Sequence, residues 1–202
     1  MKGINRVVAF ASVMGLMSVS SMAMASVSVP FGWYAEGNVG SSRVSSVSYG
    51  SGISLDTSGF GWSFNVGYKF IPYFAGEIGY TNYAQVDGKF NDTKVAKGNY
   101  HSYDIAGKAI YPISDTGFSI FGKLGVGRVQ SNITESNAPF VAANGLAIST
   151  GSRSASGLYY GLGGEYYFMP NVAANVQWAR INGSSTTGNL DLYSIGIGYV
   201  FG

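Results

Sequence analysis

Glu77, Lys108, Lys123 and Glu165 are four charged side chains set in segments that otherwise alternate between large apolar residues and glycine. Each falls on the glycine-bearing side of its segment. Counted from the nearest tight turn, they lie within a few residues of one another in depth. Two acids and two bases in one enclosed layer would neutralise each other. An unpaired charge in such a low-dielectric space would cost several kcal/mol, so pairing is physically demanded. The layer can act as a plug that sets the register of the surrounding strands, or as a gate whose ion pairs rearrange. Arg128 and Arg180 end the fifth and seventh of these segments on the opposite, apolar side. Their planar guanidinium groups suit bidentate contact with phosphate, and simple snorkelling to an interface fits them equally. His101 is the single histidine. Its neighbour Ser102 has the opposite parity on an extended strand, so the two cannot share one face as a hydrolytic pair. We read no catalytic constellation, no metal-ligand set and no cofactor motif, and expect a protein that is not an enzyme.

The elements that must position these residues read as strands. In Phe60-Gly61-Trp62-Ser63-Phe64-Asn65-Val66-Gly67-Tyr68-Lys69-Phe70 every even position is large and apolar, and every odd one is small or polar. A period of two is an extended strand with unlike faces. Eight such segments are expected, at about 33–40, 57–70, 73–86, 98–111, 117–129, 156–168, 172–180 and 190–201. Short, proline-marked turns at 71–72, 112–116 and 169–171 alternate with longer polar loops at 41–56, 87–97, 130–155 and 182–189. Aromatic residues outside, small and polar ones inside, and short turns at one end only are the pattern of an outer-membrane barrel. The expected fold is all-β, an eight-stranded antiparallel up-and-down transmembrane β-barrel. Its glycines and ion pairs fill the lumen, and its tyrosines and tryptophans form girdles at the bilayer surfaces.

Residues 1–25 read as a secretory signal. Lys2 and Arg6 precede an apolar run at 7–17, too short to span a bilayer, and Ala23-Met24-Ala25 is a small-x-small cleavage site. The remaining domain is 26–202. Of the 12 basic residues, two lie in the leader, which leaves ten against ten acidic ones. That balance excludes a polyanion-binding surface of the nucleic-acid type. Cysteine is absent, so the fold needs no disulfide.

Four stretches carry a family resemblance: Gly67-Tyr68-Lys69-Phe70-Ile71-Pro72-Tyr73 leading to Glu77-Ile78-Gly79-Tyr80; Lys108-Ala109-Ile110-Tyr111-Pro112-Ile113; Gly163-Gly164-Glu165-Tyr166-Tyr167-Phe168-Met169-Pro170 leading to Gln177-Trp178; and 193–202. In order and spacing they resemble the OmpA transmembrane domain, an outer membrane protein β-barrel family, over the second to eighth segments. The peptidoglycan-binding domain that often follows in that family is not expected. The resemblance implies that the chain resides in the cell outer membrane, as a monomer placed there by the outer-membrane assembly machinery. It implies outer-membrane lipids and lipopolysaccharide as neighbours, with Arg128 and Arg180 as candidate lipopolysaccharide contacts. It also implies Glu77, Lys108, Lys123 and Glu165 as an interior salt-bridge cluster of the kind tied to conductance, although Asn175 stands where the family pattern carries an interior arginine. The expected function is a structural, surface-exposed role, with extracellular loops contacting a host or phage ligand. The alternative is a narrow porin-like channel gated or plugged by the cluster.

Overall fold

The computed structural model describes residues 30–45, 54–145, 148, 150–184 and 187–201; the expected signal segment lies outside them. The strands are β1 (Gly32–Ser45), β2 (Ser54–Asp56), β3 (Ser58–Ile71), β4 (Phe74–Asn82), β5 (Val86–Phe90), β6 (Thr93–Pro112), β7 (Phe118–Glu135), β8 (Gly151–Met169), β9 (Val172–Ile181) and β10 (Asn189–Phe201). Every pairing is antiparallel. Eight of them close a ring in the order β1-β3-β4-β6-β7-β8-β9-β10, with β1 returning to β10 from Trp33 opposite Phe201 to Ser45 opposite Asn189. A ring leaves no wall strand with an unpaired edge in lipid, which is what allows a sheet to span a membrane. The expected barrel is the one observed.

The alternation sorts as expected through the belt. Phe60, Phe64, Ile105, Leu124 and Ile195 are half exposed or more, while Ser63, Asn65, Lys69, Asp104 and Lys108 are buried. An apolar band running round the whole barrel is far larger than any patch a soluble monomer leaves in water.

Toward the long-loop end the polarity of the wall reverses. Val44, Tyr100, Val129, Ile133, Tyr159, Ile181, Leu190 and Leu192 turn inward and pack as one cluster with Tyr83 and Val86. On the same strands the outward positions Asn99, Asn132, Thr134, Ser152 and Ser154 are exposed. Inside the bilayer the apolar face looks out to lipid; above it, the apolar face looks in and the polar face meets water. The lumen is therefore polar only through its lower part. The expectation of a lumen filled by glycine and ion pairs is corrected for the upper part, which is an apolar plug.

This reversal explains the main boundary differences. The expected loop at 87–97 is a hairpin of β5 and the start of β6, and β7 and β8 run on into the expected loop at 130–155, with a short helix α1 (Ala138–Ala143) between them. The third segment, read as 73–86, ends its wall pairing at Asn82. The chain then dips inward, where the Ala84 N–H donates to Ser42 Oγ at 2.6 Å. β2 pairs with β5 to add a flap to this outer sheet. The β5–β6 turn places Asn91 and Asp92 at φ of 46° and 62°. Both central residues of a two-residue hairpin turn of the primed type need that conformation, and glycine adopts it without strain. Asp92→Gly should therefore stabilise the hairpin by about 0.5–1 kcal/mol, seen as slower amide exchange across β5 and β6.

Candidate functional site: the luminal charge chain and the outer arginines

All four interior charges foreseen from parity meet in the lumen, and two more join them. Glu77 lies 2.8 Å from Lys123, Lys123 3.5 Å from Glu36, Glu36 3.4 Å from Lys108, Lys108 3.0 Å from Glu165, and Glu165 3.8 Å from Lys69. Six alternating charges thus form one chain, Glu77–Lys123–Glu36–Lys108–Glu165–Lys69, rather than two isolated pairs. Tyr34 donates its hydroxyl to Glu77 at 2.8 Å at one end. Lys69 donates to the Tyr167 hydroxyl at 2.7 Å at the other. All six side chains are buried. Lys108 also stands 4.0 Å from the centre of the Phe121 ring, a cation–π contact in a dry setting.

Glu36 and Lys69 complete this chain and were absent from the expected cluster. Both lie on the inward parity of their strands, so the signal was available; counting depth from the nearest turn passed over them. Neutrality holds with three acids and three bases. Asp104, further up the lumen, is a surplus carboxylate. Its register neighbours on both sides are glycines, Gly79 and Gly127, and neither of its carboxylate oxygens has a hydrogen-bond partner among the described residues. Asn175 sits opposite Glu165. It lines a cavity of about 20 Å³ shared with Lys69, Glu165 and Tyr167, enough for roughly one water-sized group.

Arg128 and Arg180 both face outward, in different environments. Arg180 is clamped: Nε and Nη2 donate to the two oxygens of Asp191 at 2.8 and 2.7 Å. Trp178 Nε1 donates to the same carboxylate at 3.0 Å. Among the described residues Arg128 donates only to Ser154 Oγ, at 2.9 Å. His101 also faces outward, 3.0 Å from Gln130 Oε1. Ser102 points inward and lies 3.2 Å from the Tyr83 hydroxyl, so the two side chains occupy opposite faces of β6.

A closed ring with a lipid-facing apolar belt and a neutral buried charge layer narrows the class, and a family match decides it. The family described as "Outer membrane protein beta-barrel domain" matches residues 11–201. This chain belongs to that family. An "Uncharacterized protein" of Coxiella burnetii is 26% identical over 175 residues, covering 71% of this chain and 68% of the relative. Among solved structures, Ail, the attachment invasion locus protein of Yersinia pestis, superposes with a TM-score of 0.54 at 19% identity, over 84% of this chain and 99% of that one. Neisserial surface protein A gives 0.57 at 14% identity, over 84% and 97%. OprG of Pseudomonas aeruginosa gives 0.56 at 19%, over 87% and 98%. At these identities the structures speak for the fold. The chain is a small OmpA-like barrel of the cell outer membrane, with its short turns at one end and its polar-faced sheet at the other.

Proposed function

We propose that this outer membrane β-barrel is a sealed, non-enzymatic scaffold that presents the outer sheet and its loops for contact with a host surface, a phage or neighbouring molecules. The observation that carries this reading is the double closure of the lumen. The charge chain occupies the lower part with charges paired to one another, and the cluster around Tyr100, Ile133 and Leu190 fills the upper part with apolar side chains. An ion crossing both layers would shed its water twice. The name of the Yersinia neighbour, an attachment protein, fits the same use of this fold. Lipopolysaccharide is the proposed lipid partner, reached through outward arginines at the upper edge of the belt. The assembly machinery acts on the chain before it folds as a monomer.

Planar-bilayer recording with refolded protein tests the sealed reading. We expect no discrete conductance steps from the wild type, and none from Lys108→Ala, because the apolar plug remains when the charge chain is cut. The cavity beside Asn175 is what favours the rival reading, a narrow gated pore. Steps that appear in the wild type and change in Lys108→Ala would establish the gate and overturn the sealed scaffold.

A further inference from the structure

We propose that the outer face of β6–β8, immediately above the aromatic belt, is a binding site for the phosphorylated sugars of lipopolysaccharide centred on Arg128, and that Arg180 is no part of it. This rests on the lipopolysaccharide contact proposed above and confines it to one side of the barrel.

The two arginines differ in what their donors are already doing. A guanidinium offers five N–H donors in a fixed fork. Arg180 spends the best of them on a carboxylate, two at once. Asp191 is only 2% exposed and also takes the Trp178 indole N–H. A phosphate arriving there would face a buried anion and would have to break a bidentate pair. Arg128 has no carboxylate within ion-pair distance among the described residues, and its single side-chain partner is a neutral serine hydroxyl. Its fork is exposed and open to an anion.

The surroundings of Arg128 complete a sugar site. Arg128 lies in register with Tyr103, and the Tyr103 ring packs at a tilt against Tyr80, centroids 5.1 Å apart. Those rings mark the level at which acyl chains give way to headgroup. A phosphate carried on the sugars directly above the acyl chains therefore arrives at the height of Arg128. One step further out, the Gln130 amide, the His101 ring and the Ser154 hydroxyl present donors and acceptors on the same face. That is the chemistry a polyhydroxylated ring needs. Tyr80, Tyr103 and His101 also pack against one another, at 5.9 and 6.0 Å for the histidine contacts, so the platform is held before any sugar binds.

On the other side, Arg43 is exposed and in register beside Asp191. Neutralising Asp191 would release Arg180 and leave two free forks, Arg43 and Arg180, on the two strands that flank β10.

The test uses the full barrel refolded into phosphatidylcholine nanodiscs. Lipopolysaccharide carrying both lipid A phosphates, and the same material after enzymatic removal of those phosphates, are titrated against it. Heat-modifiable gel migration confirms that each variant is folded. The wild type should bind the phosphorylated form about tenfold more tightly, the worth of one strong charge-assisted contact. Arg128→Ala should erase that preference, and Arg128→Lys, which keeps the charge without the fork, should restore only part of it. Arg180→Ala should stay within about twofold of wild type, and Asp191→Asn should tighten binding of the phosphorylated form. Equal losses in Arg128→Ala and Arg180→Ala would end the one-sided site while leaving lipopolysaccharide contact standing. A wild type indifferent to the phosphates, with every variant unchanged, would end the contact itself.

Discussion

Lys108→Ala should destabilise the folded barrel by about 3–5 kcal/mol, the range for removing one partner from a buried ion pair. Lys108 is the central cation of the charge chain. It neutralises Glu36 at 3.4 Å and Glu165 at 3.0 Å, and both carboxylates stay buried when it is gone. Glu165 would be left with Lys69 at 3.8 Å, and Glu36 with Lys123 at 3.5 Å, contacts too long to compensate. Lys69→Ala should cost less than half as much. Lys69 closes the chain with one distant carboxylate, and the group it hydrogen-bonds most closely is the neutral Tyr167 hydroxyl. Urea titration of protein in lipid vesicles, followed by tryptophan fluorescence, reads both variants. Equal losses at the two lysines would contradict the chain and leave a diffuse charge cloud in its place.

Gly125→Val should prevent closure of the barrel altogether. A Cβ at Gly125 would run into the Ile105 carbonyl oxygen and the Ala106 Cα, both backbone atoms of the adjoining β6. Side chains can swing aside, but a paired strand cannot, so the cost should reach about 3 kcal/mol or more, at the upper end for overpacking. The expected sign is loss of the fast-migrating folded band on unheated gels. Gly37→Ala is the matched control. Gly37 faces lipid and a Cβ there meets nothing within 4 Å, so its effect should stay within about 0.5 kcal/mol. If both variants folded equally well, close approach between strands would not be what requires glycine inside this barrel.

Eight wall strands, their facing and the four foreseen charges were legible because, inside a bilayer, the pattern has one meaning: large residues mark lipid and the rest mark the lumen. That rule holds from Phe60 to Phe70 and from Tyr103 to Ala109. It fails at Tyr100, Val129 and Ile181, where the outside solvent changes from lipid to water and the meaning of an apolar residue inverts. A single alternation rule applied along a whole strand therefore stopped the strands short, and assigned to loops residues that extend the wall. Glu36 and Lys69 had the right parity but lay outside the depth window counted from the turns. The pairing of Arg180 with Asp191 was illegible for another reason. It crosses from β9 to β10, and only the register shows that the two residues are opposite one another.

The change of solvent partway up the wall also divides this protein into two regimes of permitted change. Within the belt, an outward residue answers to lipid and an inward one to its charge partners. Above it, an outward residue such as Asn99 is exposed to water, and Asn132 and Ser152 meet water and, at 3.5 Å, each other, while the inward residue beside each is held by the plug. Beyond the surroundings of Arg128, the exterior of the outer sheet is thus free to drift in sequence, and with it whatever an antibody or phage would recognise, over an interior that tolerates almost no substitution. A surface molecule under pressure from outside could renew its face indefinitely without refolding.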